Sequence, residues 1–331
     1  MYETGSASGV VDLITKLEAF MATNGWTTDS FATEGSGKRL HAHRGSVFFN
    51  ARAYAAETPD SDLYDVSGSC SALAFNLSTA GTGGTRWFDK TGSPVSTTPK
   101  YMSAGLAGIT GAVPTYHFFA HNSGDNIIVA VEYAAGYFQS FGFGTLDKYG
   151  TYTGGTYFFG SRTGVNNLIQ SNNAVMPASG FISRDSNGGQ GSPAFISLSV
   201  DAETGWHWSD SFNAGRDTTK RYVRCNEARF ETTLGGQPNS LNDLAVMMPV
   251  ECTVERETTG GHDPSATHVS PIGEIPGVYY LKILNLTPGQ QITLGSDDYR
   301  VFPFYHKVAS TDTPTPLGTG HSATLGFAVK E

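Results

Sequence analysis

The chain has 331 residues, of which 40 are glycine, 12% are aromatic and only 15% are charged. This composition is typical of a β-dominated globular protein and excludes a disordered one. The formal net charge of −9 argues against nucleic acid and against an anionic membrane surface as main partners, because clustered lysine and arginine bind both.

The start of the chain predicts one amphipathic helix over residues 8–24. Before it there is no basic or apolar leader region, and no apolar run approaches the ~18 residues that a membrane span needs. We therefore expect a protein made in the cytoplasm, with no signal peptide and no membrane partner. Ser8 is placed to cap the helix and Gly25 to end it. The apolar side chains at helical spacing, which we expect to pack on a sheet, are Val10, Leu13, Ile14, Leu17, Phe20 and Met21.

A hairpin is predicted directly after the helix. Residues 39–43 and 46–52 alternate as strands do, and the tight turn Arg44-Gly45 joins them. This hairpin carries the one dense basic cluster of the chain, which we interpret as a solvated strand edge and not as a phosphate-binding track. The cluster consists of Lys38, Arg39, His41, His43 and Arg44.

The next segment, up to residue 100, is rich in small polar residues. One strand is predicted over residues 71–77, followed by a loop from Ser78 to Gly84. Trp87-Phe88 resembles the beginning of another strand.

The central stretch, residues 116–161, predicts three or four successive antiparallel strands. Its third strand has a bulky face and a nearly bare one, because side chains alternate along a strand. We expect Phe141 and Phe143 to be buried and Gly142 to lie beneath a close neighbour. The bulky face holds Tyr137, Gln139, Phe141 and Phe143, and the bare face holds Phe138, Ser140, Gly142 and Gly144.

The remaining chain begins with a long polar loop, residues 163–191, which we interpret as a binding or contact element. Residues 241–255 are strand-like with Pro249, which confines them to an edge or a bulge. Short strands then recur at the spacing of a sandwich or small barrel. We predict a mainly β protein of antiparallel sheets, sandwich or small barrel-like, with the N-terminal helix packed on a sheet. Residues 1–162 and 192–331 would form two domains around the loop, or one domain together.

Motifs for catalysis and for cofactor binding are absent from the sequence. Gly35-Ser-Gly37-Lys38 is not a P-loop, because Ala32 replaces the first glycine and Arg39 replaces the serine or threonine. No serine-nucleophile elbow and no zinc-protease motif occur. We expect no enzyme activity, no catalytic residues and no cofactor.

Metal binding is also not expected. His41 and His43 share a strand face, but a tetrahedral site would need a third ligand such as His207 or Asp263. The cysteines stand at wide, irregular spacing, so we expect buried small side chains and neither a disulfide framework nor a zinc motif. They are Cys70, Cys225 and Cys252.

Carboxylates and tryptophans supply the remaining candidates for a site. Glu132 and Asp210 could belong to a carboxylate pair for glycoside hydrolysis, although we favour solvated or capping roles for both. Trp206 and Trp208 could form an aromatic platform for a sugar ring. We favour the alternative that these tryptophans anchor the core or an interface.

Short aromatic and glycine motifs carry a resemblance to structural proteins of tailed bacteriophages. The resemblance covers most of the chain and is carried by Tyr116-His-Phe-Phe-Ala120, the run 141–155, Tyr299-Arg-Val-Phe-Pro-Phe304 and the segment 320–328. It implies a virion component of the tail tip, baseplate or neck, whose partners are other virion proteins and copies of itself. It implies no catalytic residues.

Two functions of different classes follow from these observations. The first is a structural subunit of the virion, most readily in the tail tip or baseplate, that mediates subunit assembly. The low charged fraction supports it, because ordinary soluble domains carry ~25% charged residues and partners cover surplus apolar surface. The alternative is a carbohydrate-binding β-sandwich that recognises a glycan of the host surface.

Overall fold

The computed structural model confirms a mainly β, sandwich-like protein with one helix among the residues that it describes. These residues are 1–58, 69–94, 104–160, 194–200, 203–208, 222–225, 247–257, 267–283, 285–303, 306–308 and 325–331.

Helix α1 spans Val10–Thr23 and follows the predicted helix closely. All six side chains of the predicted apolar stripe are buried. Gly25 adopts a φ of 85° just beyond the helix, as predicted for a residue that ends it. Ser8 was predicted wrongly as the cap. Gly9 occupies the cap position. Ser8 instead donates its backbone N–H at 2.8 Å to the carboxylate of Asp12, a residue of the first turn.

The described strands form two sheets. In chain order they are β1 Tyr2–Ala7, β2 Thr27–Glu34, β3 Gly37–Arg44, β4 Val47–Glu57, β5 Cys70–Ser78, β6 Ala104–Ala107, β7 Val113–His121, β8 Asn126–Ala134, β9 Tyr137–Thr145, β10 Asp147–Lys148, β11 Thr153–Gly160, β12 Ala194–Val200, β13 Glu203–Trp208, β14 Tyr222–Cys225, β15 Met248–Glu257, β16 Thr267–Lys282, β17 Gln291–Leu294, β18 Asp297–Pro303 and β19 Leu325–Lys330.

The smaller sheet contains β2 to β6 in sequence order, each strand antiparallel to the next. The predicted hairpin is β3 and β4, with Arg44 paired to Val47. The prediction that the basic cluster forms a strand edge was wrong. Strand β3 carries it between β2 and β4, because the preceding segment from Thr27 adds an outer strand that the sequence patterns did not indicate.

The larger sheet contains fourteen strands in the order β1, β7, β8, β9, β11, β12, β13, β14, β15, β16, β19, β18 and β17, with β10 paired to β16. Strands β7, β8, β9 and β11 confirm the predicted central meander. The short pairing of β10 with β16 brings the late strands back to the meander, so the sheet curls over itself.

One apolar core lies between the two sheets and the helix. Strand β9 contributes Phe141 and Phe143, and the smaller sheet contributes Phe49 and Phe75. All four rings are fully buried. The predicted burial of Phe141 and Phe143 is therefore confirmed, and both rings contact rings of the smaller sheet.

A second core lies on the other face of the meander, where the late strands cover it. Ile128 and Phe159 of the meander pack there with Phe302 and Phe327. Gly142 faces this core, and a Cβ atom at its position would lie 2.6 Å from both Ile128 Cδ1 and Phe159 Cζ. The bare face of β9 is thus pressed against large neighbours, as predicted.

The predicted long loop 163–191 lies outside the described residues. Strands from both sides of it pair directly, since β11 is bonded to β12 within the larger sheet. The predicted bulge at Pro249 is confirmed, because the register of β15 with β16 shifts between Pro249 and Glu251. The first part of the predicted strand, residues 241–246, lies outside the described residues.

Candidate functional site

The outer face of the smaller sheet, turned away from the helix, carries polar and charged side chains beside a small apolar cluster. Leu40 and Ala42 of β3 point into the first core, so the alternating residues Arg39, His41 and His43 lie on the opposite face. Buried amides tie this face to the segment that follows β5. One of them, Asn76, donates to the carbonyl oxygen of Phe88 at 2.9 Å.

A cavity of about 340 Å³ opens at one end of this face, and we call it the outer pocket. Arg39, Arg52 and Arg86 line it together with Glu34 and Glu57. Tyr54, Trp87 and two threonines complete the lining. The volume falls at the lower end of the range of small-molecule sites, and rings with convergent polar groups are typical of such sites.

Arg52 is the buried charge of the outer pocket, with only 5% of its side chain exposed. Its Nη2 donates to Glu57 Oε1 at 2.7 Å, its Nη1 donates to the Ala53 carbonyl at 2.6 Å, and its Nε lies 3.6 Å from Glu34 Oε1. The guanidinium carbon also lies 4.8 Å from the centre of the Tyr54 ring. A buried cation must be compensated in this way, so Arg52 is held in one position.

Arg39 and Glu34 continue this chain of charges toward solvent. Arg39 Nε lies 2.9 Å from Glu34 Oε2, and Arg39 Nη1 donates to the Thr85 carbonyl at 3.2 Å. Glu34 Oε2 is a buried atom that lies within ion-pair distance of Arg39 Nε without the geometry of a hydrogen bond. Guanidinium and carboxylate groups thus alternate from the buried Arg52 to the partly exposed Arg39.

The glycine turn between β2 and β3 allows the close approach that builds the pocket. Gly35 has a φ of 57°, and a Cβ atom there would lie 2.2 Å from Glu57 Oε2. A Cβ atom at Gly37 would lie 1.8 Å from the Ala53 carbonyl oxygen. Ser36 N–H donates to Glu57 Oε2 at 3.3 Å. Along the sequence Gly35 and Gly37 serve only to exclude a P-loop, and their role beneath Arg52 and Glu57 becomes evident in the folded chain.

Trp87 and Tyr54 form the aromatic part of the outer pocket. Trp87 Nε1 donates to Tyr54 Oη at 3.0 Å, and Trp87 meets Phe88 edge to face. The prediction that Trp87-Phe88 begins a strand was wrong, because both rings are drawn into a small apolar cluster with Cys70 and Ala72 beneath the segment. Burial of the two rings holds this segment in place without the backbone pairing of a strand.

The predicted aromatic candidates Trp206 and Trp208 both lie on β13, far along the larger sheet. Trp206 is half-buried, meets Phe158 edge to face at 5.4 Å and donates its Nε1–H to the Gly92 carbonyl at 2.7 Å. It therefore links the larger sheet to the segment that covers the outer face. The side chain of Trp208 lies outside the described residues, so a glycan-contact role for the pair stays a prediction.

The histidines considered as metal ligands have other partners. His41 Nδ1 is hydrogen-bonded to Asn50 Oδ1 at 2.8 Å, and His43 Nδ1 to the Asp29 carboxylate at 2.9 Å. Burial lowers the pKa of His41. His207 is buried on β13, and Asp263 lies outside the described residues. Among the residues described, no group of three or more histidine, cysteine or acidic side chains could hold a metal ion.

The remaining candidates have structural surroundings. Glu132 accepts the backbone N–H of Gly136 at 2.8 Å and so caps the turn between β8 and β9, as favoured by the sequence analysis. Asp210 lies outside the described residues. Cys70 and Cys252 are buried free thiols, and burial raises the pKa of Cys70 to about 11. The backbone of Cys225 pairs with that of Cys252 in the sheet.

The comparisons with known proteins supply no family for this chain. No protein-family model matches it, and no curated protein is significantly similar to it. None of the described helices is long and apolar enough to cross a membrane.

Proposed function

We propose that the chain is a structural subunit of a tailed-bacteriophage virion, placed in the tail tip or baseplate, where it mediates subunit assembly. The proposal rests on the resemblance of its aromatic and glycine motifs and on one structural observation, the open edge of the smaller sheet at β2. Its partners would be copies of itself and other virion proteins, and its location the virion.

The observation that supports an assembly role is the unpaired outer edge of β2. This eight-residue strand pairs with β3 on one side, and no described strand borders its other side. Five of its residues are exposed and the other three are only half-buried. An open edge of this length offers a row of backbone donors and acceptors to which another chain can add a strand.

The sequence of β2 does little to block such an addition. Soluble proteins protect long edges with lysine and other charges, proline or β-bulges. Strand β2 contains neither lysine nor proline, and its register with β3 shifts only between Thr28 and Ser30, so the segment from Ser30 to Glu34 pairs regularly. Its acidic residues are engaged by neighbours on β3, with Glu34 against Arg39 and Asp29 against His43. We interpret β2 as the strand that a neighbouring subunit extends.

Two proline variants test this use of β2. Backbone N–H groups alternate between the two sides of a strand. Of the variants Ala32→Pro and Thr33→Pro, one therefore removes a hydrogen bond to β3 and the other removes a donor on the outer side of β2. The variant that loses a bond to β3 should have a lower thermal unfolding temperature. The variant that loses the outer donor should unfold like the wild type and yet fail to enter particles, as judged by sedimentation of virions followed by mass spectrometry. Normal incorporation of both variants would contradict the role of β2, and absence of the wild-type chain from purified virions would contradict the function.

The alternative function, carbohydrate recognition, finds no support in Trp206, whose ring and N–H are already engaged within the chain. A glycan array with the purified chain measures this function independently of particle assembly. Binding to the array by a chain that never enters virions would favour the alternative.

A further inference from the structure

We propose that β2 pairs with β2 of a second copy of this chain, antiparallel and across a two-fold axis at Ala32. The five strands of the smaller sheet in each copy would then form one continuous sheet. This pairing rests on the proposed use of β2 in assembly and identifies the strand that extends it. The support comes from the direction of the backbone groups, the register, the charges and the side chains of β2.

The hairpin turn determines which backbone groups of β2 point outward. A two-residue turn joins β2 to β3 directly after Glu34, so the backbone of Glu34 bonds to β3. The direction of hydrogen bonding alternates along a strand, so Ala32 and Ser30 bond to β3 as well. Phe31 and Thr33 direct both N–H and C=O away from β3. These two residues supply the donors and acceptors for another strand.

The register of the pairing follows from these directions, because an antiparallel pair needs outward-directed residues opposite each other. With the axis at Ala32, Phe31 of each copy lies opposite Thr33 of the other and exchanges both N–H···O bonds with it. The regular segment 30–34 is then paired over its full length, since Ala32 is its middle residue. An axis at Phe31 would instead need Asp29, where the register of β2 with β3 shifts.

The charges of β2 favour an antiparallel copy over a parallel one. A parallel pair in register would place Glu34 beside Glu34 and Asp29 beside Asp29, and like charges directly opposite each other are destabilising. The antiparallel pair places Glu34 opposite the uncharged Ser30. Glu34 also lies against Arg39 of its own copy, with 2.9 Å between Oε2 and Nε, so no bare negative charge repels the second copy there.

The side chains of β2 fit this pairing on both faces of the sheet. Ala32 is exposed on the outer face opposite Arg39, and it is small enough for a pair that is not hydrogen-bonded, in which Cα atoms approach to about 4.5 Å. On the helix side, Phe31 is half-buried, and Lys38 Nζ lies 4.1 Å from the centre of its ring. Thr33 of the second copy would cover the exposed part of this ring.

Cysteine cross-linking of the full chain tests the position of the axis. Ala32→Cys should give a covalent dimer with oxidised glutathione, because the two Cα atoms at the axis lie within the reach of a disulfide. Ser30→Cys is the matched control, since it is exposed on the same face but lies about 13 Å along the strand from its copy. Equal cross-linking of both variants, or none in Ala32→Cys, would overturn the pairing at Ala32.

Sedimentation velocity at rising protein concentration measures the pairing without a cross-link. The wild type should dimerise, and Ala32→Lys and Ala32→Glu should each weaken the dimer at least about tenfold, because each brings like charges together at the axis. An equimolar mixture of the two variants should restore dimers. Ser6→Lys, at an exposed position of the edge strand β1, should associate like the wild type. A wild type that stays monomeric at millimolar concentration, or a mixture no better than either variant alone, would overturn the proposal.

The isolated chain separates this pairing from the virion function. A chain that enters virions but stays monomeric in solution would overturn the pairing and leave the function. A chain that dimerises through Ala32 but never enters virions would overturn the function and leave the pairing.

Discussion

The ring of Phe143 in β9 stacks on the ring of Phe49 in β4, with 4.4 Å between the ring centroids. This contact joins the larger sheet to the smaller one across the first core. Phe141 makes a second contact across this core, with its ring centroid 4.9 Å from that of Phe75 and the two rings tilted by 46°. The two sheets therefore share one aromatic layer, and its loss would affect both at once.

Phe141→Ala should destabilise the protein by roughly 3–5 kcal/mol, because the ring is fully buried and its removal leaves a cavity. Denaturant unfolding measures this loss. Phe31→Ala is a suitable control, since Phe31 is a half-buried residue of the edge strand β2 and should cost much less. An unfolding curve of Phe141→Ala that matches the wild type would disprove the placement of this ring.

Gly142→Val should cost typically ~1–3 kcal/mol by overpacking. The added Cβ would lie 2.6 Å from Ile128 Cδ1 and Phe159 Cζ, so the second core must shift to admit it. The same substitution at Gly111, where a Cβ would meet no atom within 4 Å, is the matched control. A similar midpoint of thermal unfolding for both variants would show that the second core yields easily at Gly142.

Local patterns in the sequence predict the elements that depend on burial along a single segment. The stripe of α1 and the alternation of β9 are such patterns, and the structure confirms both. Strand β2 was missed because its residues are half-buried or exposed, so no face shows an apolar alternation. Its pairing with β3 is decided by the turn at Gly35 and not by apolar burial.

The outer pocket escaped prediction for a related reason. Glu34, Arg52 and Thr85 lie on separate elements and converge only when three segments of the chain are folded together. No spacing along the sequence marks such a set. The signals that could have indicated it were the two glycines at 35 and 37 and an arginine in the interior of a strand, Arg52, since a buried charge requires partners.

Three carboxylates lie in a row across β10, β16 and β15, and their repulsion should lower the stability of the folded protein in a pH-dependent way. Glu274 pairs opposite Asp147 on one side and Glu251 on the other. Burial and these two neighbours raise its pKa. The folded protein therefore holds the Glu274 proton more tightly than the unfolded chain, and this residue's contribution to stability falls as the pH rises through the raised pKa.

Glu274→Gln should accordingly stabilise the protein at pH 7, by about 0.2–1 kcal/mol on the scale of cross-strand pairs. The gain should vanish near pH 4, where the carboxyl is protonated in the folded wild type. Thermal unfolding at both pH values measures it. A gain of equal size at the two pH values would show that repulsion between the carboxylates is not its cause.

Two histidines of β7 near the N-terminus, the buried His117 and the half-buried His121, should give stability the opposite dependence on pH. His117 is hydrogen-bonded to Tyr2 through its Nδ1 at 2.8 Å, and the N-terminal ammonium donates to the Ala120 carbonyl at 2.8 Å. Burial lowers the pKa of His117 and of His121 to about 4, with additional repulsion from Arg300 for the first and from the N-terminus and Lys330 for the second. Both histidines are therefore neutral in the folded protein at neutral pH.

The sign of the effect follows from the ordinary histidine pKa of about 6.5 in the unfolded chain. The unfolded state binds more protons between pH 6.5 and 4, so the stabilisation is complete above pH 6.5 and is lost as the pH falls toward 4. As the pH falls from 6.5 to 5, we expect each histidine to lower the free energy of unfolding by about 1–2 kcal/mol. Most carboxylates remain ionised in this window. Denaturant unfolding at half-unit steps measures the slope. His121→Gln should flatten it. An unchanged slope in His121→Gln would show that the acid sensitivity arises elsewhere.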